Sequence, residues 1–380
     1  MQARHASRIL LFAAIMLVQF GLFEAGMRLH AGSEAAPAFQ QLFMRDPEVG
    51  VRLRPGASAR FKTTEFETDI VINASGVRDD EIGPKPAGER RIVVLGDSIV
   101  LSVQVQAAET FCARLQERLN AQRPAGGPVY RVINAGVQGY GPVEELGFFD
   151  HVANRFEADV VLVAVYVGND AMEAYDSGDA VLPRSPSERA SSSGPPAATT
   201  KLSPWPLWMR RLVRRSMVLQ TVRLRTLTLL ERYSSARPID RALTMYLPVV
   251  PPDMERGLAV TRECVRRIAV SAAARGARTG IVLVPARFQV DDENYESLKA
   301  IVADSGERLL RDAATARFLS TLGGLGLPLI DTLPALRDAN ARARVFMRST
   351  AHFTKDGHEA MAGVLAGFLR DSGLLDGERR

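Results

Sequence analysis

The sequence predicts an α/β fold in which helices cover both faces of a parallel sheet. Short apolar runs rich in Val and Ile alternate with amphipathic segments of helical length, and the runs end in glycine or polar residues. Short apolar runs bounded by glycine are typical of buried strands. Strands that alternate with helices favour a parallel sheet with right-handed crossovers.

The predicted elements of this fold begin at residue 91 and are interrupted once. Strands are predicted at 91–96, 130–134, 159–167, 280–284 and 328–330. Helices are predicted at 109–121, 142–154, 255–275, 296–322 and 357–370. The first strand is the most informative, because its apolar run from Ile92 to Leu95 stops at glycine and is followed by Asp97 and Ser98. Taken alone, Asp97 and Ser98 are also typical turn and cap residues.

Composition indicates a globular chain and argues against several functional classes. The chain has 380 residues, of which 46% are hydrophobic and 24% charged, and its net charge is +5. No basic block is interleaved with aromatic residues, so no nucleic-acid partner is expected. Cys112 and Cys264 lack metal-ligand spacing and are interpreted as two buried thiols, or as a disulfide in an exported domain. The acidic run 291–293 is expected to be a solvated loop, so no metal or cofactor is predicted.

The first 30 residues are predicted to be a targeting segment. Arg4 and Arg8 precede the apolar run Ile9–Phe23, which at 1.5 Å per residue gives about 22 Å of helix. Positive charge before the run places the N-terminus in the cytoplasm. Either an uncleaved signal anchor or a signal peptide cleaved near 31–36 would export the rest. We expect a single-pass protein of the bacterial inner membrane with its main domain in the periplasm.

Two further segments lie outside the predicted α/β core. Residues 31–90 form an N-terminal arm, in which 61–72 alternates as a hairpin or edge strand would, and we expect the arm to lie across the main domain. Residues 172–250 form an insert with a Ser/Pro/Ala-rich loop followed by a basic amphipathic stretch at 204–246. This stretch is interpreted as a helical subdomain, with a lid or a membrane-surface helix as alternatives.

Residues suited to acyl-ester chemistry follow three of the predicted strands. Ser98 follows the first strand, Gly136 the second and Asn169 the third, while His352 precedes the last helix. The carboxyl ends of parallel strands share one edge, where α/β sheets bind ligands. A serine nucleophile needs a base for its Oγ proton, and the oxyanion needs hydrogen-bond donors. Histidine suits the first role, and asparagine with glycine and serine amides suits the second.

These residues resemble the four blocks of the SGNH (GDSL-like) hydrolase superfamily, which carry Ser, Gly, Asn and His in that order. The matching positions are Gly96-Asp97-Ser98, Gly136, Gly168-Asn169-Asp170 and His352. The resemblance covers 91–172 and 280–370. A lead-in containing Asp46-Pro47 and Arg78-Asp79 also resembles an exported, N-terminally anchored bacterial group of this superfamily.

The resemblance implies a flavodoxin-like three-layer α/β/α sandwich over residues 91–375, with the helical insert outside it. It implies ester hydrolysis through an acyl-serine, with Ser98 as nucleophile and His352 as base. The Ser98 N–H, the Gly136 N–H and the Asn169 side chain would form the oxyanion hole, with Asp97 and Asp170 in support. The implied substrate is an O-acylated, and in particular O-acetylated, glycan of the envelope.

One departure from the family pattern leaves alternatives open. The superfamily usually places an aspartate two or three residues before the histidine, but this chain has Ser349 and Thr350 there. Loss of the triad acid can lower kcat about 10⁴-fold. A catalytically weakened glycan-binding or scaffold protein is therefore one alternative. An O-acyltransferase acting on a glycan acceptor is the other, because the 172–250 insert could exclude water from the site. His358 and His151 are interpreted as structural or surface residues.

Overall fold

The structure is a computed structural model that describes most of the chain. The described residues are 19–21, 24–25, 39–63, 65–184 and 239–376. Most of the predicted targeting segment and residues 204–238 of the basic stretch lie outside them. Among the helices that the structure describes, none is long and apolar enough to cross a membrane.

Two antiparallel hairpins form the described part of the N-terminal arm. β1 (Phe43–Asp46) pairs with β2 (Gly50–Leu53), and β3 (Ser58–Lys62) pairs with β4 (Glu67–Val71). In the second hairpin buried and exposed side chains alternate, as the sequence pattern predicts for a half-buried strand pair. The arm therefore has a buried face against the rest of the domain and an exposed face.

A parallel sheet follows the arm in the described residues. Its strands are β5 (Glu89–Gly96), β6 (Val129–Gly136), β7 (Val160–Tyr166), β8 (Arg278–Val284) and β9 (Leu329–Asp331), in the spatial order β6-β5-β7-β8-β9. This is the flavodoxin-like order, in which the connections from β5 and β6 leave in opposite directions. The predicted parallel sheet is confirmed, and the switch point lies outside the carboxyl ends of β5 and β7.

Ten α-helices lie between or after the strands of the parallel sheet in the described ranges. They are α1 (Ser98–Leu101), α2 (Phe111–Ala121), α3 (Pro142–His151), α4 (Asp170–Ser177), α5 (Pro252–Ala273), α6 (Arg287–Val290), α7 (Asp292–Ala303), α8 (Ala313–Gly323), α9 (Leu333–Asn340) and α10 (Lys355–Asp371). Side chains at their starts satisfy free backbone amides: Thr110 accepts from Ala113 N, and Thr354 accepts from Gly357 N.

The sheet separates two hydrophobic cores. Ile92 and Val94 of β5 belong to one core with α2 and α10, whereas Val93 and Leu95 belong to the other with α3 and α5. Successive residues of a strand point to opposite faces, so an uninterrupted apolar strand needs cover on both sides. The predicted three-layer α/β/α fold is thereby confirmed.

Two of the sequence predictions in the second half are wrong. The helix predicted at 296–322 is two helices, α7 and α8, because the backbone turns at Asp304–Gly306 and the Leu310 N–H donates to the Tyr246 carbonyl at 2.7 Å. The acidic run 291–293 is the start of α7 and not a solvated loop. Asp291 is buried, and its carboxylate accepts a hydrogen bond from the Asn294 N–H.

Both cysteines are buried free thiols, as the first sequence interpretation predicts. Cys112 is a residue of α2 and lies in the core that α2 shares with α10, whereas Cys264 lies in the core on the opposite face of the sheet. Burial raises the pKa of the Cys264 thiol to about 12. Both thiols are therefore protonated packing residues.

Candidate active site

Ser98 lies at the carboxyl end of β5 and is the first residue of α1. The Asp97 carboxylate accepts a hydrogen bond from the Ile99 N–H at 2.8 Å and so caps this single helical turn. Asp97 is buried, and burial raises the pKa of its carboxyl to about 6. The turn ends at Ser102, whose left-handed backbone has a φ of 58°. Ser98 is thus half-buried at a tight strand-to-helix corner.

Residues of the N-terminal arm hold this corner in place. The buried Arg78 guanidinium donates to the carbonyls of Leu101, Ser102 and Val105, and the Leu101 contact measures 3.0 Å. The Thr68 hydroxyl donates to the Val103 carbonyl at 2.7 Å. These donors satisfy carbonyls at the end of a short helix that has no following turn to do so. The position of Ser98 therefore depends on the arm.

His352 lies within hydrogen-bond distance of Ser98, with its Nε2 2.9 Å from the Ser98 Oγ. The histidine belongs to a small loop closed by the Phe346–Phe353 bridge and by a hydrogen bond from the Met347 N–H to the His352 carbonyl. Burial lowers the pKa of His352 to about 4. The ring is therefore neutral near pH 7 and can accept a proton from a serine hydroxyl.

The other ring nitrogen of His352 is buried and has no hydrogen-bond partner among the described residues. For Nε2 to accept the Ser98 proton, the ring hydrogen must be on Nδ1. The Ser349 hydroxyl does not turn toward this nitrogen. It donates instead to Glu65 of the arm. The structure brings Ser98 and His352 together, and no carboxylate among the described residues bonds to the His352 ring.

Asn169 follows β7, and a glutamate of α4 holds its side chain. The Asn169 Nδ2 donates to the Glu173 Oε1 at 2.8 Å, while the Asn169 Oδ1 is buried without a partner among the described residues. An amide nitrogen has two hydrogens, so one remains for another acceptor. Sequence reasoning missed Glu173, although a residue four positions later on a helix falls on the same face.

Gly136 does not supply the oxyanion donor that the sequence predicts. Its N–H donates to the Asn134 Oδ1 at 3.1 Å, and the Asn134 Nδ2 donates to the Val100 carbonyl. A Cβ on Gly136 would lie 2.3 Å from the Leu101 nitrogen. This glycine is required for the close approach of β6 to α1. Three residues later Gly139 has a φ of 75° and is exposed.

Comparison with known proteins addresses the family directly. Residues 248–380 match the family described as SGNH hydrolase-like domain, acetyltransferase AlgX. Over these residues, about a third of its length, the chain is similar to an SGNH hydrolase-like domain. The search of curated protein sequences gave no significant match.

Solved structures similar to this chain share little sequence with it. TesA is 12% identical, with a TM-score of 0.39 over 75% of this chain and 100% of its own. A lipase/acylhydrolase from Enterococcus faecalis is 14% identical, with a TM-score of 0.39 over 74% and 96%. A catalytic mutant of Axe2, an acetylxylan esterase from Geobacillus stearothermophilus, is 13% identical, with a TM-score of 0.38 over 75% and 94%. At these TM-scores the likeness supports no conclusion about this chain.

A group of buried carboxyls lies behind the candidate site. Glu145 and Asp170 are each about 1% exposed, and one oxygen of each has no hydrogen-bond partner among the described residues. Burial raises the pKa of both carboxyls well above the usual range, and repulsion adds to it, chiefly from Asp97 at Glu145 and from Glu145 at Asp170. Burial also raises the pKa of Glu173 to about 8. Asp170 accepts from the Tyr166 N–H at 2.8 Å and so braces the loop that carries Asn169.

The contacts of the other two described histidines do not involve Ser98. The His358 Nδ1 accepts from the Phe111 N–H at 3.2 Å, and the ring stacks on Phe111. Burial lowers the pKa of His358 to about 3, so it is a neutral packing residue. His151 is exposed near Glu48. The described residues contain no group of three or more His, Cys, Asp or Glu side chains arranged to hold a metal.

Proposed function

We propose that this protein is a serine esterase that works through an acyl-serine intermediate. The observation that carries the proposal is the 2.9 Å contact between the His352 Nε2 and the Ser98 Oγ at the carboxyl end of β5. A nucleophile and a neutral base within hydrogen-bond distance are the minimum for acyl transfer to serine. The match of residues 248–380 to an SGNH hydrolase-like domain supports the same chemistry.

In the proposed reaction the Ser98 oxygen attacks the ester carbonyl while its proton passes to the His352 Nε2. The second hydrogen of the Asn169 amide and the Ser98 N–H stabilise the oxyanion. Because the Gly136 N–H is engaged, a further donor would come from the turn that follows it, where Gly139 is exposed. His352 then returns the proton to the leaving alcohol. Water repeats the sequence on the acyl-serine and releases the acid.

The proposed substrate is an O-acylated, chiefly O-acetylated, glycan of the cell envelope. Two observations support it: the domain match is to an acetyltransferase family, and the sequence begins with a basic-flanked apolar run that would export the domain. We propose that this run tethers the chain to the inner membrane and leaves Ser98 on the periplasmic side. Proteolysis of spheroplasts tests the orientation, because periplasmic exposure makes the domain accessible to added protease.

A glycan O-acetyltransferase is the second candidate, because the matching family is described as an acetyltransferase. Both reactions form the same acyl-serine, and they differ only in whether water or a sugar hydroxyl accepts the acyl group. Turnover of an acetyl donor with and without an oligosaccharide acceptor distinguishes them. Transfer gives acetylated sugar at the expense of free acetate.

The test of the proposed function uses the full-length chain in detergent with p-nitrophenyl acetate and a fluorophosphonate probe. Wild-type protein is expected to turn over the ester and to be labelled at Ser98. Ser98→Ala and His352→Ala are expected to lose at least about 10³-fold in rate. His358→Gln is the matched histidine control and is expected to keep activity as long as it folds. Equal turnover and labelling by wild type and Ser98→Ala would exclude the proposal.

A further inference from the structure

The loop that carries His352 is held at its tip by a carboxylate from a distant part of the chain. Glu65 lies in the turn between β3 and β4. Its Oε1 accepts the Arg348 N–H at 2.5 Å, and its Oε2 accepts the Ser349 N–H at 2.9 Å. The Ser349 hydroxyl also donates to the Oε2. Three donors from two adjacent loop residues thus converge on one side chain, 283 and 284 residues earlier in the sequence.

Further hydrogen bonds hold both the turn that carries Glu65 and the loop that carries Arg348. On the arm side, the Thr63 Oγ1 accepts from the N–H groups of Glu65 and Phe66, which fixes the turn. On the loop side, the Arg287 guanidinium donates to the Arg348 carbonyl at 2.7 Å. The peptide at Arg348 is therefore bonded through both its N–H and its C=O. Hydrogen bonds to a charged acceptor are the stronger kind.

The charge of Glu65 suits this role. Although partial burial opposes it, the hydrogen bonds from Ser349 and Arg348, with the charge of Arg287, lower the pKa of Glu65. The carboxylate is therefore ionised at neutral pH and acts only as an acceptor. A glutamine there would place an NH₂ group against one of the N–H donors, because all three loop groups donate.

The contact lies where it can set the position of the histidine. Arg348 and Ser349 are at the exposed tip of the loop, whereas His352 is at its base beside the Phe346–Phe353 bridge. Since the His352 Nδ1 has no partner among the described residues, no hydrogen bond at that nitrogen orients the ring. Apart from the contact of its Nε2 with the Ser98 Oγ, the position of the ring then depends on the loop backbone, and Glu65 fixes that backbone three residues away.

We propose that Glu65 is the positioning residue for His352. Acting through Ser349 and the loop backbone, it orients the ring in place of the aspartate that the superfamily usually carries where this chain has Ser349. The proposal rests on the proposed function for its catalytic meaning. It does not make Glu65 a catalytic residue, because Glu65 contacts neither Ser98 nor the imidazole. It means that the arm completes the site, and that the base is held in place by a residue outside the predicted α/β core.

The structure offers a matched control on the same hairpin. Glu67 is also an exposed glutamate, but its carboxylate binds Arg60 at 2.7 Å and Lys62 at 2.9 Å. Glu65→Gln and Glu67→Gln remove the same charge from the same hairpin, and only the first disturbs the His352 loop. Glu65→Asp keeps the charge on a shorter side chain and should give an intermediate effect.

The first measurement is an NMR titration of the full-length protein labelled with ¹³C-histidine, in which His352→Gln assigns the resonance among five histidines. In wild type we expect the midpoint of His352 near pH 4. In Glu65→Gln the released ring becomes hydrated, so the midpoint should rise by at least one pH unit toward 6.5. In Glu67→Gln it should stay within about 0.3 units of wild type. Equal midpoints in the two variants would overturn the proposal.

The second measurement is the rate of ester turnover, in which we expect Glu65→Gln to lower kcat at least about tenfold with KM within twofold. Glu67→Gln should remain within twofold of wild type. If Glu65→Gln does not fold by circular dichroism, Ser349→Ala decides by the same titration, with an unchanged midpoint counting against the proposal. The titration needs no activity, so an inactive wild type would refute the proposed function and leave the role of Glu65 to be decided by NMR.

Discussion

The burial of His352 predicts an unusual pH dependence for the reactivity of Ser98. A serine is activated only while its base is unprotonated. Burial lowers the pKa of His352 to about 4 from the ordinary value of 6.5. Because a lowered pKa keeps the ring neutral to lower pH, the acidic limb of the activity profile shifts to lower pH.

The size of the effect follows from the fraction of neutral rings. With a pKa of about 4, about 97% of His352 rings are neutral at pH 5.5, against about 9% for an unshifted ring. The reactivity of Ser98 at pH 5.5 should therefore be nearly the same as at pH 7.5. An enzyme whose base has an ordinary pKa would lose about tenfold over that interval.

The assay is the second-order rate of Ser98 labelling by a fluorophosphonate between pH 3.5 and 8, with Ser98→Ala as the blank. We choose labelling because it reports the nucleophile without requiring the natural substrate. Intrinsic fluorescence at each pH separates unfolding from titration. A half-point at pH 6.5 or above would refute the reasoning, because it would mean that the ring is hydrated or paired with a carboxylate.

The remaining predictions concern the carboxyls behind the site. Glu173→Ala should lower the rate of ester turnover about tenfold, because the Asn169 amide loses its hydrogen-bond acceptor. Glu173→Gln keeps an acceptor and should stay within about twofold of wild type. Equal rates for the two variants would contradict the role of Glu173 in holding Asn169. Burial raises the pKa of Glu145 well above its usual range. The contribution of this carboxyl to the free energy of unfolding is therefore fully present at low pH, and it is lost as pH rises from about 4.3 through the folded pKa. Glu145→Gln should therefore raise Tm at pH 8.5 by at least about 2 °C and by less at pH 5, and an equal shift at both values would argue against a protonated Glu145.

The central strand and the corner after it could be predicted from the sequence because their signals are local. An apolar run from Ile92 to Leu95 that stops at glycine leaves few alternatives to a buried strand. The pairing of Ser98 with His352 could be predicted only as an order of blocks along the chain. Their 2.9 Å contact depends on two loops from opposite ends of the domain.

Other features had no local signal. The engagement of the Gly136 N–H by the Asn134 Oδ1 depends on a side-chain conformation, and residue type alone does not reveal it. The break between α7 and α8 follows from a hydrogen bond to Tyr246, more than 60 residues earlier. Glu65 lies in an exposed turn, and neither spacing nor hydrophobic pattern marks it out. Residues that act through long-range contacts are the ones that reading along the chain misses.

The wide separation of the site residues has a consequence for the protein during its synthesis. Ser98 and His352 are 254 residues apart, and the arm residue Glu65 meets its partner loop only after that loop has been made. An unfinished chain can hold the nucleophile corner and the arm, but it lacks the base that the proposed function assigns to Ser98. In the proposed mechanism, Ser98 therefore becomes reactive toward esters only after the loop that carries His352 has been made and has closed against the arm.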